Sequence, residues 1–229
     1  MKQHIPNILT LSNAFAGSIA LVFIFEQAWE KVLICVGIGL LADFLDGGVA
    51  RLLGVSSELG KQLDSLADMI SFGVVPGAIM YQLLLMSCTT TAYSTLLAFV
   101  AFLIPVFACL RLARFNLDTK QSENFIGLPT PAATFFVIGL LLISWQNLIG
   151  ASVLAQPMVL VVLTLLISWL MVSPIPLFGL KFKHFQWKGN EVRFVFLGAA
   201  LILLISLKAA ALVPIIALYV LLSLLQTLR

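Results

Sequence analysis

The stretch DFLDGGVARLLGVSSELGKQLDSLAD, residues 43–68, decides how the rest of the chain is read. It carries Asp43, Asp46, Asp64 and Asp68, and with Glu58 it holds half of the ten acidic residues in a 229-residue chain that is 61% hydrophobic. At helical spacing Asp43, Asp46 and Ala50 point the same way, with Gly47 close beside them. Gly60, Asp64 and Asp68 form a second stripe on the next helix. Consecutive helices can turn these stripes toward each other and present four carboxylates to one point. Solvated loop acids are the alternative, and the apolar runs flanking both pairs argue against it.

Four gathered carboxylates repel, and each costs about 2.5–3.5 kcal/mol in the middle of a membrane helix, roughly 10 kcal/mol together. Two divalent cations offset four negative charges, and an all-oxygen donor set suits Mg²⁺ or Mn²⁺ rather than zinc. Gly47, Gly48 and Ala50 leave room beside the acids for a ligand, and the planar Arg51 cation suits a phosphate. The pattern implies a two-metal phosphoryl-transfer centre at the membrane edge.

Outward from this window the chain is lipid-soluble. Hydrophobic runs of spanning length fall near 8–25, 32–52, 65–87, 93–113, 131–150 and 155–173. Two more, 192–207 and 210–227, meet at Lys208 as a tight hairpin or one broken re-entrant element. The expectation is an all-α polytopic bundle of about eight spans, a six-helix core plus a C-terminal hairpin, in one integral-membrane domain over 1–229. The first run lacks a strongly basic start and is followed by Glu26 and Glu30, so it reads as a retained span, not a cleaved leader.

Loop charge sets the expected orientation. Lys2, Arg51, Lys61, Arg111, Arg114, Lys120, Lys181, Lys183, Lys188, Arg193 and Arg229 fall on one side, and only Lys31 and Lys208 on the other. By the positive-inside rule the acidic window and both termini face the cytoplasm of a multi-pass cell-membrane protein. A net charge of +3 with no basic run gives no reason to expect nucleic acid. Cys35, Cys88 and Cys109 read as packed small hydrophobes, and His4 and His184 are too far apart in sequence for a histidine metal site. Phe182, Phe185 and Trp187, interleaved with Lys183 and Lys188, read as an interfacial belt.

Residues 111–133, RLARFNLDTKQSENFIGLPTPAA, form the second informative stretch. Arg111 and Arg114 share a helix face, which fits either membrane anchors or a grip on a carboxylate or diphosphate. Gly127, Pro129 and Pro131 mark the turn into the fifth span.

The spacing D-x2-D-G-x2-A-R-x8-G-x3-D-x3-D, matched without departure from Asp43 to Asp68, resembles the signature of the CDP-alcohol phosphotransferases. RLARFN followed by F-x-G-L-P-x-P-A resembles the phosphatidylserine synthase branch. The resemblance covers most of residues 5–133; beyond about 135 only hydropathy matches. It implies transfer from CDP-diacylglycerol to L-serine within the lipid bilayer, giving phosphatidylserine and CMP. Asp43, Asp46, Asp64 and Asp68 are then metal ligands, and Asp68 is also the base that accepts the serine proton. Gly47, Ala50, Arg51 and Gly60 belong to the nucleotide and diphosphate site. Arg111, Arg114, Asn13 and Asn7 are candidates for acceptor or phosphate contacts, with Thr10 beside them. Asn13 stands where relatives using a phosphorylated acceptor often carry arginine. A homodimer is implied by resemblance alone. The rival acceptors are glycerol-3-phosphate and inositol phosphate; a cation transporter is the rival of another class, without the repeat or midplane acids it would need.

Overall fold

The computed structural model describes residues 4–55, 57–88, 96–117, 125–179 and 186–227, and over these the chain is helical apart from short connections. Helices α1 (His4–Phe25) and α2 (Trp29–Leu53) pack along each other, joined by a tight turn in which Gln27 takes a φ of 54°. They are followed by α3 (Glu58–Ser87), α4 (Leu96–Leu117), α5 (Thr130–Trp145), α6 (Pro157–Val172), α7 (Glu191–Leu207) and α8 (Leu212–Thr227). Prolines open several of them: Pro131 lies in the first turn of α5 and Pro157 begins α6, where a missing N–H costs nothing.

Among the described residues, α1 to α4 and the stretch Glu191–Thr227 are long and apolar enough to cross a membrane, and α5 and α6 are shorter apolar helices. The chain is a polytopic helical membrane protein, as its hydropathy predicts. Of the two expectations for the C-terminus, the hairpin holds. Lys208 leaves the helix with φ 48° and ψ −122°, and the ring of Phe196 on α7 lies 5.7 Å from that of Tyr219 on α8. Helix α3 is the central post, 67% buried over its most apolar window, whereas the corresponding window in the hairpin is 11% buried. Val75, Ile79, Met80 and Leu84 of α3 meet Ile104 of α4, Leu140 and Leu141 of α5 and Ile167 of α6 in one core.

Three local features bring the two acidic stripes together. Gly54 ends α2 in the left-handed conformation, φ 61°, its N–H bonded to the carbonyls of Ala50 and Arg51. Ser57 then starts α3 by accepting the Gly60 N–H at 3.0 Å. One turn beyond the acids, α1, α2 and α3 approach closely through small residues: a Cβ on Gly39 would stand 2.9 Å from Asn13 Oδ1, and Ser71 Oγ donates to Asn13 O at 3.0 Å. Immediately after Asp68 the backbone widens into a π-helical turn, Met69–Val74, a feature frequent where a helix carries a functional side chain.

One element has no counterpart in the hydropathy pattern. Phe125–Ile126 (β1) and Pro176–Leu177 (β2) pair antiparallel, Phe125 with Leu177 and Ile126 with Pro176. Gly127 follows with φ 74° and donates its N–H to Ile175 O at 2.9 Å. A Cβ there would run into the Met171 carbonyl. Gly127→Ala is therefore expected to cost about 1–3 kcal/mol and lower the detergent-phase melting temperature more than Gly54→Ala, whose Cβ meets open space. Equal shifts for the two variants would show that the bridge carries no strain of this kind.

The predicted inside charges Lys2, Lys120, Lys181, Lys183 and Arg229, with Phe182, His184 and Phe185, lie outside the described residues. Trp187 is exposed and stacks on Phe194 at 5.5 Å, in keeping with an interfacial belt.

Candidate active site

Asp43 and Asp46 stand one turn apart on α2, and Asp64 and Asp68 one turn apart on α3. One carboxylate oxygen from each of Asp43, Asp64 and Asp68 lies within 4.8 Å of the other two. Asp46 stands at the edge of this trio, close enough to repel all three. Its carboxylate is buried and takes a 2.6 Å hydrogen bond from the Thr10 hydroxyl, which also faces Pro6 O at 3.1 Å. The structure thus converges three of the four expected ligands and holds the fourth against α1.

The donor set fits hard divalent cations. It is all oxygen, the spacing lets oxygens share one ion, and Asp68 Oδ1 is buried with no hydrogen-bond partner among the described residues. An orphaned buried carboxylate oxygen is costly, and a cation is the partner that carboxylate neighbours leave room for.

A cavity of about 280 Å³ opens beside the acids, lined by Asp46 and Asp64 together with Asn7, Thr10, Ala50, Gly60 and Lys61. Ala50 and Gly60, expected to meet nucleotide, and Asn7, expected to contact acceptor or phosphate, are therefore on its wall. Gly60 is there because nothing larger fits without displacing a neighbour: a Cβ would stand 3.2 Å from Asn7 Oδ1 and 3.1 Å from Ser57 Oγ. Gly47 and Arg51 lie outside this lining. Gly47 borders open space, and Arg51 Nε folds back onto Gly47 O at 2.9 Å.

Lys61, which the sequence marks only as an inside-facing charge, puts a cation into the cavity wall. It follows Gly60 and precedes Asp64 by three residues, so helical spacing alone assigns it to the acidic face. Its ammonium donates to Asn116 O at 2.9 Å, and Asn116 Nδ2 donates to Ser65 Oγ at 2.8 Å, so α4 is latched to the start of α3.

Arg111 and Arg114 line a second cavity of about 140 Å³, with Ile126, Val172 and Ser173. Arg111 is 8% exposed, its Nε has no partner among the described residues, and its charge is within reach of Asp68. Among the described residues Arg114 Nη1 makes only a 3.5 Å contact to Val172 O. Two cations with unspent donors face a pocket on the Arg111 side of the acid cluster. Ser173 had no sequence signal, because only the packing of α6 against α4 brings it there. Asn13 is fully buried between α1, α2 and the π turn, lines neither cavity, and has both amide atoms unpartnered among the described residues.

Comparison with known proteins sets this geometry in a family. A family model described as CDP-alcohol phosphatidyltransferase matches residues 3–177. A Mycobacterium leprae protein named CDP-diacylglycerol–serine O-phosphatidyltransferase is 35% identical over 183 residues, 76% of this chain and 58% of that protein. A Bacillus subtilis protein of the same name is 31% identical over 82% of this chain and 95% of its own length. An archaetidylserine synthase from Methanothermobacter thermautotrophicus is 33% identical over 65% of this chain and 62% of its own. The chain thus spans little more than half of the mycobacterial relative and nearly all of the Bacillus one.

Proposed function

As the chain belongs to the CDP-alcohol phosphatidyltransferase family, we propose that it transfers a phosphatidyl group from CDP-diacylglycerol to the hydroxyl of L-serine, releasing phosphatidylserine and CMP. The observation that carries this reading is the meeting of Asp43, Asp64 and Asp68 within 4.8 Å, beside a nucleotide-sized cavity that Asp64 lines together with Asp46. Relatives named for serine transfer, one of them for an archaeal lipid, favour serine as the acceptor.

In this reading Asp43, Asp64 and Asp68, with Asp46 beside them, would hold two divalent ions, Mg²⁺ or Mn²⁺. Such ions neutralise the diphosphate and stabilise the departing CMP. The chain's own groups do the rest. Asn7, Ala50 and Gly60 form the wall against which the cytidine lies, and Lys61 offers its charge to the diphosphate. Thr10 fixes the Asp46 carboxylate, leaving its other oxygen toward the cavity. Arg111 and Arg114 take the serine carboxylate in the second cavity, which directs the serine hydroxyl toward Asp68. The serine oxygen forms the new bond to the phosphorus that carries diacylglycerol, the bond from that phosphorus to the CMP oxygen breaks, and Asp68 takes the hydroxyl proton. The acyl chains stay in lipid alongside the helices. The loop charges favour a site on the cytoplasmic side, where serine is available, and the family resemblance alone implies a homodimer.

The test is CMP release from CDP-diacylglycerol by the purified protein, supplied separately with L-serine, glycerol-3-phosphate and inositol phosphate. Release with serine alone is the expected outcome. Release with a phosphorylated acceptor instead would reassign the arginine cavity to a phosphate, and no release with any acceptor would remove the reading.

A further inference from the structure

The family match stops at residue 177, so the hairpin of α7 and α8 lies beyond it. Two polar side chains of that hairpin nevertheless reach back to consecutive carbonyls of the segment that leaves the arginine cavity. Tyr219 Oη, on α8, donates to Phe178 O at 2.9 Å, and Arg193 Nε, on α7, donates to Gly179 O at 2.8 Å. Tyr219 is buried, with its ring edge-on to Phe178 at 5.0 Å, and Phe178 meets Phe196 at 5.9 Å. The tyrosine also stands within electrostatic reach of Arg111.

What these bonds hold follows from the chain path. Val172 and Ser173 line the cavity, and four residues further on Leu177 ends the two-residue strand β2. That strand pairs with β1, which carries Ile126, another lining residue. A ladder of two residues per strand is far too short to hold itself in place. Its free end is the point at which Tyr219 and Arg193 attach.

We propose that the C-terminal hairpin sets the shape of the acceptor cavity, with Tyr219 and Arg193 as positioning residues that clamp the segment leaving the Val172–Ser173 wall, so that its strand β2 stays paired with β1 at Ile126. This deepens the proposed function, because it rests on the Arg111–Arg114 cavity being the acceptor site. Without the clamp the wall occupies its binding shape only part of the time. Apparent acceptor affinity then falls by that fraction, while donor binding beside Asp46 and the chemistry at saturation are untouched.

The experiment uses the full chain in detergent with Mg²⁺, following CMP release against acceptor and donor concentration for the wild type, Tyr219→Phe and Arg193→Lys. Each variant keeps the bulk of the side chain and loses or misdirects one hydrogen bond. The expected result is a KM for the acceptor raised roughly 3- to 10-fold, with kcat and the KM for CDP-diacylglycerol within about twofold, and a larger rise in the double variant. An unchanged acceptor KM in both single variants overturns the proposal, even if melting temperature falls. So does a parallel loss for both substrates, which marks a merely structural role. The acceptor whose KM is read is whichever one the wild type uses, so a different acceptor removes the serine assignment alone. A wild type that releases no CMP with any acceptor removes both readings.

Discussion

Asp68→Asn lowers kcat for CMP release by about 10²–10⁴-fold while the protein still binds CDP-diacylglycerol. The substitution keeps the size of the side chain and one oxygen facing Asp43 and Asp64, but the amide cannot take a proton. Asp68 is the candidate base because Arg111 brings the acceptor cavity to its side of the cluster, so that one carboxylate oxygen can serve the cations and the other the acceptor hydroxyl. Asp46 is a poorer base, since its carboxylate already accepts the Thr10 hydroxyl at 2.6 Å. Binding is read from retention of a fluorescent CDP-diacylglycerol and kcat from CMP release. A kcat near wild type removes Asp68 from the proton transfer. Loss of donor binding along with kcat assigns it to holding the cations alone.

The parts of this site that were legible in the sequence are those fixed by helical periodicity. Asp43 and Asp46, then Gly60, Asp64 and Asp68, fall on single faces whatever the tertiary fold, and the lengths of the apolar runs count the spans. What was not legible depends on how the helices meet. Periodicity gave Asp46 the same standing as Asp43, and only the approach of α1 to α2 gives it Thr10 as a partner. Thr10, Asn7 and Asn13 looked equivalent along α1. Asn7 and Thr10 open into the cavity, but Asn13 is one turn or more further into the bundle, against Gly39 and Ser71. The π turn after Asp68 leaves no compositional mark in MISFGV. The β1–β2 bridge joins Phe125 to Leu177 across 52 positions, and segments of two residues carry no period to read. The hairpin was undecided because Lys208 is compatible with either a reversal or a break. Phe196 against Tyr219 decides it.

The cation dependence of the reaction tests the central claim, that acids from α2 and α3 pool around divalent metal at the wall of the nucleotide cavity. Uncompensated, these carboxylates oppose both one another and an incoming diphosphate, so metal removal acts on donor binding and chemistry together. CMP release from CDP-diacylglycerol and serine is followed in EDTA-treated protein, then during titration with Mg²⁺ or Mn²⁺, for the wild type and Asp64→Asn. The account predicts no measurable release in chelator, full recovery with either metal, and recovery only at much higher metal concentration in the variant. Undiminished release in excess chelator, or an identical metal titration for Asp64→Asn, would contradict it.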